Sequence, residues 1–130
     1  MRGWSVKDKA GIVGQAAAGD ESSSMGGETS GPAFAEKAFG AAADPCGAWP
    51  TLNQAEADQI AKARLNAAAL KFVTGEGVCL GRTDLRAGVV VDLQTGSKSF
   101  SGPYYVTGAE HRYSDEHGYL TYFTVRRNAS

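Results

Sequence analysis

The sequence predicts a mainly β fold, a small antiparallel barrel or a strongly bent sheet, with one α-helix packed across it at about residues 53–70. Three extended runs in the C-terminal third, at 88–93, 104–113 and 119–125, are rich in β-branched and aromatic residues, and turn residues separate them. The seventeen glycines also favour a turn-rich β architecture. We expect about five to seven strands, within the usual size of a sheet.

Alternation along these runs predicts which side chains face the core. In the first run Val89, Val91 and Leu93 alternate with Gly88, Val90 and Asp92, and in the third run Tyr119, Thr121, Phe123 and Val125 share one face. A period of two is typical of a half-buried antiparallel strand. We expect Tyr105 and Phe123 to point inward, and Tyr104 and Tyr122 to point outward.

The chain before these three extended runs is expected to supply edge strands and a cover for the core. Residues 1–16 hold two short apolar patches around a charged turn, which predicts a hairpin or two edge strands. Residues 17–32 are small, polar and rich in glycine, so we expect a flexible loop there. Residues 33–43 predict a short helical turn. Residues 44–50 contain two prolines and predict a loop, from which Trp49 packs onto the core.

The helix near 53–70 has the strongest local signal in the chain. Thr51 or Asn53 can cap it, with a capping-box residue three positions later. Its apolar stripe is rich in alanine and is expected to cover the barrel core; it comprises Ala57, Ile60, Ala61, Leu65, Ala68 and Phe72. The chain then becomes extended over 71–81, with Phe72, Thr74, Glu76, Val78 and Leu80 on one face and Val73 and Cys79 on the other. Gly75 and Gly77 indicate a bulge or a bend.

Composition narrows the classes of function. The chain has 130 residues, 42% of them hydrophobic, and is expected to form a single domain, 1–130. The net charge of −1 gives no general attraction to nucleic acid or to an acidic membrane. The start lacks the apolar segment of a signal peptide and no run could cross a bilayer, so we expect synthesis and folding in the cytoplasm. Whether Cys46 and Cys79 pair is left open by the sequence.

Titratable side chains offer weak candidates for catalysis. His111 and His117 are the only histidines. If the protein were an enzyme, its catalytic site would use His111 together with Asp115 or Glu116. The acidic residues fall in a polar turn, which favours solvated charges, and no nucleophile elbow or phosphate-binding loop is present. The histidine and cysteine spacings match no compact zinc pattern. We therefore expect no enzyme activity, no metal and no cofactor.

A family resemblance lies in the same C-terminal stretch. The motifs are Leu85 to Leu93, Phe100 to Thr107, His111, Gly118 to Phe123 and Arg126-Arg127; upstream they are Arg2-Gly3-Trp4 with Lys7 and Lys9, and Ala55 to Asp58 followed by Ala61, Ala63 and Leu65. In order and spacing these resemble the end of the hub domain of phage late control protein D. The VgrG spike proteins of type VI secretion and related contractile injection systems share that domain. The resemblance covers most of the chain and is weakest at about 17–50.

The resemblance implies a fold, a function and partners. The chain would be the second barrel of a hub, with its first strand shortened, in a homotrimer whose barrels form a pseudo-hexameric ring. It would be a structural component of a baseplate hub or spike, bound to other hub subunits, the tail tube protein and the spike, and assembled into a virion tail or injection apparatus. We expect Tyr104, Tyr122 and Arg126 to contact other subunits. The alternative is a small β-domain that binds a carbohydrate or cell-wall polymer through surface tyrosines.

Overall fold

The computed structural model describes residues 1–42 and 50–130, and within them the protein is mainly β. A hairpin of β1 (Arg2–Ser5) and β2 (Ala10–Val13) precedes two helices, α1 (Gly31–Phe39) and α2 (Gln54–Ala69). Four further strands follow, β3 (Val73–Leu80), β4 (Val90–Leu93), β5 (Gly102–Ser114) and β6 (Gly118–Arg127), with one 3-10 turn at Lys98–Phe100. The predicted hairpin, the helix near 53–70 and the bent sheet are confirmed.

The four later strands form one antiparallel sheet in the order β3-β6-β5-β4, curled into a half-barrel. The buried centre of its concave face comprises Leu85, Tyr104, Val106 and Val125, and the partly buried Val73, Cys79, Val89, Val91, Leu93 and Phe123 pack around it. Val89, Val91 and Leu93 face inward, as their alternation predicted. The strands β3 and β4 are the two edges of this sheet within the described residues.

Residues 73–80 alternate regularly, and the predicted faces of β3 are confirmed. Val73 and Cys79 are on the partly buried side, and the even-numbered residues are exposed. Of the bulge or bend predicted at Gly75 and Gly77, the bulge is absent, because the pairing of β3 with β6 has no register shift. Gly77 has a different role, because a Cβ there would lie 2.5 Å from the ring of Phe123. The glycine makes room for an aromatic ring on the inner face.

The predicted orientation of Tyr104 is wrong, because its side chain is only 4% exposed and belongs to the core. A bulge between Val106 and Gly108 explains the error. Beyond the bulge the odd-numbered residues of β5 face inward, and before it the even-numbered residues do, because one extra residue reverses the alternation. The inward orientation predicted for Tyr105 is therefore also wrong. Tyr105 lies on the outer face, opposite the exposed Val90 and Arg126.

Helix α2 has the predicted cap, because the side chain of Asn53 accepts a 2.9 Å hydrogen bond from the backbone N–H of Glu56. Its buried residues are Ala57, Ala61 and Ala69, and the helix packs on β2. The expectation that its stripe covers the barrel core is wrong, since no residue of α2 belongs to that core. A Cβ at Gly14 would lie 2.2 Å from the Ala57 carbonyl oxygen, so glycine and alanine together allow the close approach to the hairpin.

Residues 17–30 form no regular element, as predicted, but hydrogen bonds attach them to the rest of the protein. The backbone N–H of Ser22 donates to the Asn66 side chain over 3.0 Å, and Glu28 donates to the Ser130 carbonyl over 3.1 Å. The flexibility of this loop stays a prediction. The short helix expected at 33–43 is α1, which begins earlier because Ser30 caps it. The predictions for Trp49 and Cys46 lie outside the described residues.

Candidate interface surface

The convex face of the half-barrel carries a group of exposed apolar side chains. Val78 of β3 lies opposite Tyr122 of β6, and Leu80 lies opposite Leu120. Val78 is 55% exposed, Leu80 80% and Tyr122 38%, while Leu120 is half-buried. Directly opposed side chains on one sheet face touch or nearly touch, so these four residues form one surface, here called the outer patch. Such contiguous exposed apolar surfaces often mark interaction sites.

A charged pair borders the outer patch on β5. Arg112 donates two hydrogen bonds to the carboxylate of Glu110, of 2.8 and 2.9 Å. The guanidinium beside Glu110 lowers the pKa of that carboxyl below its ordinary value, mainly through these hydrogen bonds. The guanidinium carbon of Arg112 also lies 4.8 Å from the ring centroid of Tyr122, a cation–π arrangement. One face of the Tyr122 ring is therefore already occupied.

The backbone of β3 presents a second feature beside the outer patch. Gly81, immediately after β3, donates its N–H to the Tyr119 carbonyl over 2.8 Å. In an antiparallel pair the residues alternate between those that bond to the neighbour and those that point away. The odd-numbered residues of β3 therefore bond to β6, and the N–H and C=O groups of Thr74, Glu76, Val78 and Leu80 point to the free edge.

The three predicted interface residues fall in different environments. Tyr122 lies in the outer patch, and Arg126 is exposed on the same face, opposite Thr74 and Tyr105. Tyr104 is separate from both, because its ring lies in the core and its hydroxyl donates a 2.9 Å hydrogen bond to the Phe100 carbonyl. A contact role on this surface therefore stays a prediction for Tyr122 and Arg126, while the burial of Tyr104 suits a role inside the subunit.

Val78 and Leu80 are the most exposed members of the outer patch, and the sequence prediction of the interface omitted them. The signal was present, since the alternation of β3 placed both on one face together with Glu76. What the sequence did not indicate was the strand order. Only the adjacency of β3 and β6 brings Val78 and Leu80 beside Tyr122.

His111, which the enzyme alternative would combine with Asp115 or Glu116, contacts hydroxyl groups instead. The Nδ1 atom of His111 lies 3.0 Å from the Thr121 hydroxyl and 3.0 Å from the Tyr119 hydroxyl. Glu116 instead lies 3.8 Å from Nδ1 of His117, and both side chains are largely exposed. Thr121 also accepts a 3.0 Å hydrogen bond from the backbone of Arg82. His111 thus belongs to a hydroxyl network that joins β5 and β6 to the turn after β3.

An open cleft of about 430 Å³ lies between the two edge strands on the concave side. Its apolar walls include Leu85, Val91 and Phe123, with Asp92 among its polar lining. Cys79 also lines it as a half-buried free thiol. The predicted alternative of a Cys46–Cys79 bridge involves a residue outside the described part of the chain.

No family model, curated protein or solved structure matches the chain. Within residues 1–42 and 50–130, no cluster of three or more His, Cys, Asp or Glu side chains could hold a metal ion. In the same residues, neither helix has the length and apolar character needed to traverse a bilayer.

Proposed function

We propose that the protein is a structural component of a baseplate hub or spike in a phage tail or contractile injection system, connecting the tail tube to the piercing tip. The observation that carries the proposal is a half-barrel with two unpaired edges, β3 and β4, among the described residues. Exposed strand edges are ready to pair with another chain. A part that serves mechanical assembly needs such edges and needs no catalytic centre.

The direction of the edges suits a ring of subunits. All three strand pairs of the sheet are antiparallel, so β4 runs opposite to β3. The β4 edge of one subunit can therefore join the β3 edge of the next as another antiparallel pair. Head-to-tail contacts of this kind close into rings when the rotation permits. The partners would be other hub subunits in a homotrimer, the tail tube protein and the spike, in an assembled virion tail or injection apparatus.

The outer patch also supports assembly. Val78 and Leu80 lie at the β3 edge, so a neighbouring strand would cover part of their exposed apolar surface. Arg126 lies on the same convex face and offers a polar contact beside that seam. Interfaces commonly combine an apolar centre with a polar rim, and Arg and Tyr are enriched among the side chains that contribute most to binding.

The test is a mass measurement in solution with a candidate tail tube protein. We expect a defined complex by light scattering after size-exclusion chromatography. Val90→Pro should weaken it, because the alternation of β4 directs the Val90 N–H to the free edge and proline lacks this donor. Tyr113→Ala, at the exposed end of the β5–β6 hairpin, is the matched control and should leave the complex intact. Absence of any complex with tube or spike proteins would contradict the proposal.

A second function, binding of a carbohydrate, is favoured by one observation. Tyr113 is 77% exposed and lies opposite the exposed Tyr119 at the end of the β5–β6 hairpin. Exposed aromatic rings with polar tips can stack on sugars. Binding to a glycan array that Tyr113→Ala abolishes and Tyr105→Phe preserves would support this function. Tyr104→Ala is less informative, because it would disturb the core.

A further inference from the structure

We propose that the free protein forms a two-fold symmetric dimer in which β3 pairs antiparallel with β3 of a second copy. This inference concerns the free protein and does not depend on the proposed hub function. In a hub ring the same β3 edge would pair with β4 of a neighbour instead. The strand that pairs with the β3 edge belongs to a second molecule of the same protein. The dimer would join two four-stranded half-barrels into one eight-stranded sheet.

The β3 edge has a row of backbone groups available for pairing. Four residues of β3, Thr74, Glu76, Val78 and Leu80, direct one N–H and one C=O each away from β6, as the alternation of the ladder requires. No other strand pairs with this side of β3 within the described residues. The edge also lacks a proline, a bulge and an inward-pointing charge, three of the features that commonly prevent pairing. Its one charged residue, Glu76, lies on the outer face.

The position of the charged Glu76 in β3 selects one register for this pairing. With Gly77 opposite Gly77 of the second copy, Glu76 faces Val78 and Thr74 faces Leu80 across the seam. All four outward-directed residues then pair, in both copies. A shift of two residues one way would set Glu76 against Glu76, and like charges directly opposite are destabilising. A shift the other way would set Thr74 against Arg82, beyond the end of the strand, and shorten the ladder.

The side chains of β3 also fit this register. Gly77 at the axis has no side chain, and non-hydrogen-bonded residues approach most closely there, with Cα atoms about 4.5 Å apart. On the convex face, the exposed Val78 and Leu80 of each copy would be partly covered by the other. A two-fold axis perpendicular to the sheet keeps both concave faces on one side. The outer patches of the two copies therefore become continuous across the seam.

The test uses opposite charges at one exposed position. In sedimentation velocity over a concentration series, we expect the wild type to move from monomer to dimer. Val78→Glu should reduce the dimer strongly because it sets a second carboxylate opposite Glu76, whereas Val78→Lys should retain or strengthen it. The Val78→Lys protein also controls for folding. Val90→Glu, at the β4 edge, should leave the dimer unchanged.

Several outcomes would overturn the proposal. A wild-type protein that remains monomeric at its highest soluble concentration would do so. Equal effects of Val78→Glu and Val78→Lys would exclude the proposed register. Loss of the dimer in Val90→Glu as well as in Val78→Glu would instead place β4 in the contact, as in a head-to-tail ring in which β4 pairs with β3. None of these outcomes decides whether the tube protein binds, so the hub proposal is tested separately.

Cross-linking tests the register directly. In a background with both native cysteines changed to serine, an equimolar mixture of the Glu76→Cys and Val78→Cys proteins should form a disulfide-linked heterodimer under mild oxidation. These positions would be a hydrogen-bonded pair with Cα atoms about 5.5 Å apart, within the range that a disulfide spans. Either protein alone should cross-link far less. Efficient cross-linking of Glu76→Cys alone would contradict the proposed register.

Discussion

The guanidinium carbon of Arg127 lies 5.5 Å from the ring centroid of Tyr104, and Nη1 of Arg127 donates a 2.8 Å hydrogen bond to the Ser101 carbonyl. Arg127 is only 3% exposed, and no carboxylate lies within ion-pair distance of it in the described residues. Its Nε is buried without a hydrogen-bond partner there. The contacts of Arg127 therefore join the last residues of β6 to the turn that begins β5.

This arrangement makes the packing of the Arg127 side chain more important than its charge. Arg127→Met should change the free energy of unfolding by no more than about 1 kcal/mol, because a buried charge replaced by an apolar side chain of similar size is often neutral or stabilising. Arg127→Ala should lose about 2–4 kcal/mol, as large-to-small core changes do. Urea unfolding of the three proteins measures both. Equal losses in the two variants would show that the guanidinium contacts dominate.

The same residues show why one part of the fold could not be predicted from the sequence. The alternation of β3 and of Val91 and Leu93 predicts the correct faces, because the pairing of these segments has no register shift. Tyr104 was placed on the wrong face because the bulge after Val106 reverses the alternation within one continuous apolar run. Nothing in the local sequence fixes that extra residue, since the pairing partner decides it.

Helix α2 shows that the local sequence does not determine which element an apolar helix face packs against. Its cap and its bounds followed from the sequence, because both depend on neighbouring residues. Its partner did not, because an alanine stripe fits a sheet and a hairpin equally well. The contact with β2 depends on Gly14, which is far from Ala57 in sequence. The outer patch was partly predictable for the same reason: Tyr122 was identified, but its neighbours Val78 and Leu80 required the strand order.

A prediction for Gly77 tests the close contact inside the half-barrel. Gly77→Ala should lower the free energy of unfolding by about 1–3 kcal/mol, because its Cβ would overlap the Phe123 ring and overpacking forces neighbours to move. Gly75→Ala is the matched control, since its Cβ would meet Val125 at an ordinary 3.4 Å. Thermal and urea unfolding compare the two. A double variant that also carries Phe123→Leu should recover part of the loss, and full additivity would argue against this contact.

A prediction for Gly14 tests the packing of α2 on the hairpin. Gly14→Ala should destabilise the protein by about 1–3 kcal/mol, because the added Cβ would meet the backbone carbonyl of Ala57 and a backbone cannot rotate away. Gly11→Ala in β2 has no atom within 4 Å of its Cβ and should be nearly neutral. Hydrogen exchange of the α2 amides should increase in the first variant alone. Unchanged protection of α2 would mean that the helix is held mainly by other contacts.

The Glu110–Arg112 pair gives a prediction for pH dependence. Arg112 lowers the pKa of Glu110 in the folded protein below the ordinary value of 4.5, so folding favours the ionised carboxylate. The stabilisation from this pair is therefore present above pH 4.5 and is lost as the pH falls through the lower folded pKa. Both side chains are largely exposed, so the effect on stability should be small.

A carboxyl titration followed by NMR should place the midpoint of Glu110 below 4.5, and Arg112→Gln should move it upward. Tyr122 offers a second readout, because loss of the guanidinium above its ring should alter the chemical shifts of the ring protons. A midpoint that does not respond to Arg112→Gln would show that the pair is not formed in solution, and that the border of the outer patch is more open than these contacts imply.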